Sequence, residues 1–422
     1  MTSSSKPPLM ALDQALDELL AHAEPLAGHE TLPSFEADGR VLAADLVSAL
    51  QVPPQDNSSM DGYALRCADL AAAGSVLRVS QRIAAGHAGE PLAPGTAARI
   101  FTGAPMPPGA DAVVMQEDAE MLAPAGAGEL GSVRILALPQ PGQWVRRAGE
   151  DVTRGAVVLA RGERLSPASL GLAASIGLAQ LAVAPRPRVA LFSTGDELVM
   201  PGELPPEQMP PGAIYNSNRF FLRALLHRLG CEVSDLGVVP DRRAATLAAL
   251  KTAADHHDLI LTSGGVSVGE EDHIKPAVEQ LGHLALWQIA MKPGKPFAYG
   301  RVRRDGDAGH AHFIGLPGNP VSSFVTFLLL VRPFLLKLQG ARELAPRPLT
   351  LPAHFDLPRA DKRREFLRVR RNAAGGLELF SNQSSGVLTS AVWGDGLVDN
   401  PAGRTIAQGD PVSFIPFSEL LA

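Results

Sequence analysis

The chain has 422 residues, of which 45% are hydrophobic and 19% are charged, so it can form about two to four domains with sizeable cores. This composition excludes a globally disordered protein. Acidic residues outnumber basic residues by 44 to 38, and the resulting formal charge of −6 argues against a protein that coats nucleic acid. The only two cysteines, Cys67 and Cys231, lack the spacing of metal ligands, so we expect neither a disulfide framework nor a zinc site.

The sequence shows no pattern typical of export or membrane insertion. Residues Met1–Pro8 are polar and contain no apolar signal-peptide core. The longest apolar run, Phe324–Val331, is far shorter than the roughly 20 residues that span a bilayer. We therefore expect this run to form a buried helix in a cytoplasmic protein that does not associate with a membrane.

The first half of the chain predicts one helix followed by a β-rich module. Leucines at positions 12, 16, 19 and 20 recur at helical spacing, which predicts an amphipathic helix from Leu9 to about Leu26. Between Pro53 and Arg147, short strand-like segments alternate with glycine-containing turns. These segments are Val76–Ser80, Ala98–Phe101, Ala112–Met115 and Val133–Leu136.

From Pro187 onward, predicted strands alternate with predicted helices, which is typical of a parallel, doubly wound α/β domain. The predicted strands are Val189–Phe192, Val233–Val239, Leu259–Thr262 and Phe313–Leu316. The predicted helices are one capped by Asn216, Ser217 or Asn218, then Ala244–Ala254, Ile274–Leu281, and one with Asn319 as its cap and Pro320 as its first residue. After Gln339, a proline-containing linker leads to a small β-rich region.

Four loops of this α/β region lie where strands end, so we expect them to meet in one crevice. They are Thr194–Glu197, Ser263–Gly269 with Glu270, Glu271 and Asp272, Met291–Pro296, and Gly315–Pro320. The small residues Ser263, Gly264, Gly265 and Gly318 let a ligand approach the backbone, and the helix start at Asn319 offers free N–H groups to an anion.

Charged residues in or next to these loops favour a phosphate ligand held together with Mg²⁺. Lys292 and Lys295 supply positive charge, and the acids Asp196, Glu197, Asp241 and Asp272 are hard oxygen ligands. Each loop alone also has a plainer explanation, such as a tight turn, a helix cap or a solvated charge. Their joint occurrence favours a magnesium-bridged diphosphate, whereas no GxGxxG motif follows a strand to suggest a nicotinamide cofactor.

Seven motifs, in order along the chain, resemble those of the MoeA family of molybdopterin molybdenumtransferases, which includes the gephyrin E-domain and the plant Cnx1 E-domain. They are Ser58–Ala64, Ile100–Pro105 with 109–114, Gly149–Asp151, Ser193–Leu198, Thr262–Gly269, Lys292–Phe297 and Gly315–Pro320. The resemblance implies a multidomain α/β plus β fold with a molybdopterin-binding-like domain. It assigns 7–51 and 144–184 to a discontinuous domain I, 52–143 to a β-module, 185–334 to the α/β domain and 335–422 to a C-terminal β-barrel.

The resemblance also implies an activity and a set of site residues. The expected enzyme is a molybdopterin molybdotransferase that inserts molybdate into adenylyl-molybdopterin, with Mg²⁺-dependent release of AMP. The carried-over catalytic residues are Asp61, Thr102, Asp151, Glu197, Asp241, Asp272, Lys292 and Lys295. Ser263, Gly264, Gly265, Pro317, Gly318, Asn319 and Pro320 are expected to bind substrate, and Glu197, Asp241 and Asp272 to hold Mg²⁺.

The family pattern further implies a homodimer, with Asp61 and Thr102 facing the α/β domain of the partner, and docking of other cofactor-pathway proteins. Two alternatives remain open at this stage. One is a molybdopterin adenylyltransferase, which shares the α/β domain, and the other is a non-catalytic scaffold like the gephyrin E-domain. The motifs fit molybdate and tungstate equally well.

Overall fold

A mixed six-stranded sheet forms the centre of the computed structural model, which describes residues 9–124, 129–265, 273–307 and 309–421. In chain order its strands are β1 (Arg188–Thr194), β2 (Glu232–Val239), β3 (Leu259–Ser263), β4 (Gly282–Gln288), β5 (Pro296–Arg303) and β6 (His310–Leu316). Their spatial order is β2-β1-β3-β6-β5-β4. The first four in this order are mutually parallel, as predicted, whereas β5 is antiparallel to both β6 and β4.

Helices cover both faces of this sheet. They are Asn218–Arg228, Arg243–His256, Ile274–Leu281, and Pro320–Thr326, which continues through a π-helical turn at Phe327–Val331 into Arg332–Leu338. Adjacent residues of β1 point to opposite faces, so Leu191 packs with Leu222 and Phe334 in one core, whereas Phe192 packs with Leu250 and Val278 in the other. The prediction of a doubly wound domain is confirmed.

The continuous helix Pro320–Leu338 is long and apolar enough to cross a membrane, and among the described helices it alone passes that test. Its most apolar stretch is, however, 83% buried inside the protein. Phe327, Leu330 and Val331 belong to the larger core. The prediction that the apolar run Phe324–Val331 forms a buried helix is therefore confirmed.

The N-terminal helix, Leu12–Ala21, is shorter than the predicted segment from Leu9 to Leu26. It begins late because Met10 pairs with Ile289 in a β-bridge, which fixes the preceding backbone in an extended conformation. Leu12 and Leu19 are buried in the core of the α/β domain. This helix thus packs on the α/β domain, although the family resemblance assigns its residues to domain I.

The β-rich module is a six-stranded sheet with its own core. Its strands are Gly62–Leu65, Val76–Ile83, Thr96–Ile100, Ala112–Met115, Ala119–Leu122 and Ser132–Ile135, and a short ribbon pairs Asn57–Ser58 with Val145–Arg146. Two further ribbons lie in the segments on either side of this module, with the helix Pro167–Ser175 next to them. They pair Glu30–Pro33 with Gln180–Val183 and Leu46–Val47 with Val157–Leu159.

The C-terminal region forms another six-stranded sheet, and one of its strands comes from the α/β domain. Its strands are Met291–Lys292, Leu349–Pro352, Arg364–Arg371, Leu377–Leu379, Gly396–Asn400 and Pro411–Pro416, with the short helices Thr389–Trp393 and Phe417–Leu421. Met291 and Lys292 pair in parallel with Arg364 and Glu365. The loop between β4 and β5 is therefore part of both domains.

A cluster of histidines lies between the N-terminal helix and the central sheet. His22 stacks on Tyr299 at 4.7 Å between ring centres, and its Nδ1 accepts a hydrogen bond from Arg301 at 3.0 Å. The Tyr299 hydroxyl lies 3.0 Å from Nδ1 of His312. Burial, reinforced by the positive charges of neighbouring His310 and Arg301, lowers the pKa of His312 to about 3.

Because folding lowers this pKa from its ordinary value of 6.5, we expect the protein to lose stability in acid. The stabilising contribution is complete above about pH 6.5 and is lost as the pH falls towards about 3, by up to about 1.4 kcal/mol per pH unit. His312→Asn should flatten the dependence of Tm on pH between about pH 7 and pH 5. The exposed His87→Asn variant is the control and should keep the wild-type slope. An unchanged slope in His312→Asn would contradict this assignment.

Candidate active site

A cavity of about 780 Å³ lies at the edge of the central sheet where the parallel strands end. Its walls combine the ends of β1, β3 and β6 with the start of the helix Asn218–Arg228. Of the sequence-predicted residues, it is lined by Glu197, Asp241, Ser263, Gly264, Gly265, Pro317, Gly318, Asn319 and Pro320. The structure therefore brings all four predicted loops to one space, although the loop Met291–Pro296 contributes only Pro296 to its wall.

The turn after β1 places the Glu197 carboxylate against Gly195. A Cβ atom at position 195 would lie 2.5 Å from Oε2 of Glu197, and the backbone there has φ +139°. Only glycine leaves room for the carboxylate in this position. The neighbouring Asp196 is exposed and does not line the cavity. Of these two adjacent acids, only Glu197 therefore lines the cavity.

A buried amide fixes the distance between two of the loops. Asn218, the first residue of its helix and only 8% exposed, donates from Nδ2 to Ser263 Oγ at 2.8 Å and to the Gly318 carbonyl at 2.7 Å. From the sequence, Asn218 was expected only as a possible helix cap. In the structure Ser217 occupies the cap position without a side-chain cap bond, and Asn216 Oδ1 accepts the N–H of Arg219 at 3.2 Å.

Some backbone N–H groups that the sequence suggested would be available to a ligand already donate hydrogen bonds within the protein. The Gly264 N–H donates to the Leu316 carbonyl at 3.0 Å, so it stabilises the turn. At the helix start after Asn319, the Val321 N–H donates to the Ser385 carbonyl at 2.9 Å. The expectation that this helix start offers only free N–H groups is therefore wrong for Val321, because a loop of the C-terminal domain already occupies it. Gly386 from the same loop lines the cavity.

Gly318 has open space around it, as Gly386 does, whereas Gly195, Gly264 and Gly265 have close neighbours. No atom lies within 4 Å of the position that a Cβ of Gly318 would occupy. A side chain at this position would therefore project into unfilled space, which is compatible with close approach of a ligand.

Lys292 and Lys295 do not line this cavity. The Nζ atom of Lys292 contacts Glu365 Oε1 at 2.9 Å and Asp361 Oδ2 at 3.2 Å. Burial alone would lower the pKa of Lys292, but its hydrogen bonds to Glu365 and Asp361 outweigh burial and raise it. The strand pairing of Lys292 with Glu365 directs this side chain towards the C-terminal domain. Lys295 lines a separate, shallow cavity beside Asp361 and Arg363.

The remaining predicted residues lie elsewhere in the chain. Asp61 and Thr102 are neighbours on the exposed face of the β-module, where Asp61 Oδ1 accepts the N–H and the hydroxyl of Thr102, each at 2.8 Å. These two hydrogen bonds lower the pKa of Asp61. Asp151 is also exposed and lies outside the cavity. Asp272 lies outside the described residues, together with the rest of 266–272.

Several lining residues have no counterpart in the sequence prediction. They are Leu198, Ile214, Tyr215, Asn216, Ser217, Asn218, Ser322 and Gly386. The cluster Asn216–Asn218 carried a signal for helix capping but none for ligand contact. Gly386 carried no signal at all, because a residue of another domain reaches the cavity only through tertiary packing.

Three segments of the chain match known protein families. Residues 10–177 match the MoeA N-terminal region (domain I and II), 190–337 match a probable molybdopterin binding domain, and 350–417 match the MoeA C-terminal region (domain IV). The chain is also 39% identical to a molybdopterin molybdenumtransferase of Haemophilus influenzae, over 98% of its own length and 100% of the relative's. The chain belongs to the MoeA family.

Other MoeA-related proteins agree with this assignment. A protein of Mycobacterium tuberculosis named molybdopterin molybdenumtransferase 2 is 39% identical over 88% of this chain and 90% of its own length. The crystal structure of a molybdopterin biosynthesis moeA protein from Pyrococcus horikoshii is 29% identical, covers 97% of this chain and 100% of its own, and has a TM-score of 0.81. The recognised resemblance and the multidomain MoeA-like fold are therefore confirmed.

Within this MoeA fold, two carboxylates and several glycine-containing turns line the same cavity. The donor set of Glu197 and Asp241 suits a hard cation, and the turns leave room for a substrate beside it. Of the two lysines in the β4–β5 loop, Lys292 forms ion pairs with the C-terminal domain instead. In this chain the acidic and the basic parts of the predicted site thus belong to adjacent but separate surfaces.

The Lys292 contacts lead to a prediction about stability. Lys292→Ala leaves the Glu365 side chain, only 5% exposed, without its cation, so we expect a loss of about 1–3 kcal/mol and a lower Tm. The matched control is Lys251→Ala, which removes an ion pair to Asp305 whose two side chains are well exposed. That control should change stability by less than about 0.5 kcal/mol. Equal Tm values for the two variants would show that the Lys292 pair does not couple the domains.

Proposed function

We propose that the protein catalyses insertion of molybdate into adenylyl-molybdopterin, releasing AMP and completing the molybdenum cofactor. The observation that carries this proposal is the acidic cavity at the sheet edge, in a chain whose similarity to a molybdopterin molybdenumtransferase extends over its whole length. A cavity of about 780 Å³ is large enough for a nucleotide-sized ligand.

Glu197 and Asp241 are the residues that would hold Mg²⁺. Mg²⁺ in proteins is commonly bound by one or two carboxylates together with substrate phosphates and water, and these two carboxylates lie on one cavity. Among the described residues, no three acidic, histidine or cysteine side chains gather into a complete metal site. Phosphate oxygens of the substrate are thus expected to complete the coordination. When bound, Mg²⁺ would neutralise charge on the diphosphate as AMP leaves.

The chain's own groups would position the substrate. The Asn218 amide holds the loops at Ser263 and Gly318 a fixed distance apart, so the ligand meets a preformed surface. Gly195 leaves room for the Glu197 carboxylate beside the turn. The Ser385–Gly386 loop closes one side of the cavity through its hydrogen bond to Val321. Together these contacts orient the diphosphate and limit access of water to it.

We further propose that the active enzyme is a homodimer in which Asp61 and Thr102 reach the partner's cavity. Both residues lie on the exposed face of the β-module and outside the cavity of their own chain. Their mutual hydrogen bonds keep the carboxylate of Asp61 ionised and oriented. A second copy of the chain would therefore supply the groups that this cavity lacks.

The two carboxylates can be tested by isosteric substitution. Glu197→Gln and Asp241→Asn should each lower molybdate-dependent AMP release from adenylyl-molybdopterin at least about 100-fold, because each removes a charge from the proposed Mg²⁺ site. The matched control is Asp196→Asn, which neutralises the neighbouring acid outside the cavity and should retain activity. Full activity in Glu197→Gln and Asp241→Asn would exclude the proposed site. Formation of adenylyl-molybdopterin from ATP would instead identify an adenylyltransferase.

The shared site can be tested by mixing two inactive variants. Mixed dimers of Asp61→Asn and Asp241→Asn contain one intact site for each defective one, so random mixing should restore about a quarter of wild-type AMP release. Mixing Glu197→Gln with Asp241→Asn is the control and should restore nothing, because both changes affect the same α/β cavity. If mixed dimers are verified by mass and remain inactive, the site is not shared between subunits.

A further inference from the structure

The wall of the cavity next to Glu197 is apolar. Leu198 and Ile214 are directly paired on a short parallel ribbon, Leu198–Val199 with Ile214–Tyr215, and both line the cavity. Ile214 is a large apolar side chain, yet it is 55% exposed. Isolated exposed aliphatic residues are common on protein surfaces, but an aliphatic pair inside a concave cavity that also holds carboxylates is typical of a binding surface.

The ribbon is held firmly, so these two side chains have defined positions. The Ile214 N–H donates to the Glu197 carbonyl at 2.8 Å, and the Asn216 N–H donates to the Val199 carbonyl at 2.9 Å. Asn216 in turn accepts the N–H of Arg219, which anchors the end of the ribbon to the following helix. The apolar pair is therefore preformed and does not depend on ordering of a loop when a ligand binds.

The same backbone contacts link this pair to the acidic part of the cavity. Because the Glu197 carbonyl accepts the Ile214 N–H, the carboxylate-bearing residue and the aliphatic pair are immediate neighbours. A ligand whose diphosphate lies near Glu197 would place one of the groups beyond its diphosphate over Leu198 and Ile214. The flat face of an aromatic heterocycle matches such an aliphatic surface, whereas a sugar or a further phosphate would leave it in contact with water.

We propose that Leu198 and Ile214 form a platform on which a planar nitrogen heterocycle attached to the bound diphosphate packs. The inference rests on the proposed function, since adenylyl-molybdopterin carries such a ring on each side of its diphosphate. Adenine and pterin share this chemistry, and the experiment distinguishes them. The platform sets specificity through apolar contact, separately from the charges that bind the phosphates.

The test compares ligands with and without a ring. Binding of AMP, ribose 5-phosphate and a free pterin, each with Mg²⁺, is measured by calorimetry for wild type, Ile214→Ala and Leu349→Ala. Ile214→Ala should weaken binding of AMP or of the pterin about tenfold, because it removes most of the apolar contact, and should leave ribose 5-phosphate unchanged. Leu349→Ala truncates a similarly exposed leucine outside the cavity and should change none of the three.

The outcomes separate this inference from the proposed function. Weaker AMP binding places adenine on the platform, and weaker pterin binding places the pterin there; either result supports the inference. If wild type binds these ligands and Ile214→Ala binds AMP and the pterin as tightly as wild type does, the platform is refuted and the proposed function stands. The platform is also refuted if Ile214→Ala weakens binding of ribose 5-phosphate as much as it weakens binding of AMP or the pterin. If wild type binds none of the three ligands, the inference fails, whereas the proposed function is still decided by AMP release from adenylyl-molybdopterin.

Discussion

The candidate site depends on the common edge at which the parallel strands of the central sheet end. Parallel strands deliver their following loops to the same side, and here β1, β3 and β6 do so around one cavity. A common sheet edge alone does not fix the distances between these loops. The buried amide of Asn218 fixes the distance between two of them by hydrogen bonding to both Ser263 and Gly318. An unmade hydrogen bond at this depth would cost about 1–3 kcal/mol, so the spacing of the loops is built into the folded state.

The C-terminal domain contacts the α/β domain at two places, one of which is at the edge of the candidate site. Its loop at Ser385 accepts the N–H of Val321 at the cavity edge, and its sheet includes Lys292 from the β4–β5 loop. The buried carboxylate of Glu365 requires the cation of Lys292 nearby, because an unpaired buried charge is strongly unfavourable. Movement of this domain would therefore alter the cavity wall and the lysine loop together.

In the proposed function, charged and apolar groups of the cavity contact different parts of the substrate. The carboxylates of Glu197 and Asp241 suit the diphosphate with its cation, and the aliphatic pair beside Glu197 suits a planar ring. The ribbon that connects these parts keeps them in a fixed relation through backbone hydrogen bonds. In the proposed homodimer, Asp61 and Thr102 would act at the partner's cavity, because both are exposed on the β-module and lie outside the cavity of their own chain.

Much of this protein follows from local sequence patterns. Alternation of strands and helices predicted the doubly wound domain, and the apolar run Phe324–Val331 predicted a buried helix, because both depend on periodicity along the chain. The acids and glycines after each strand were also visible, since the direction of a parallel strand fixes where its loop lies. The sequence could not indicate that Lys292 turns towards Glu365, that Gly386 reaches the cavity, or that Asn218 bridges two loops. These contacts join residues distant in the chain, and only the packing of complete domains decides which of them form.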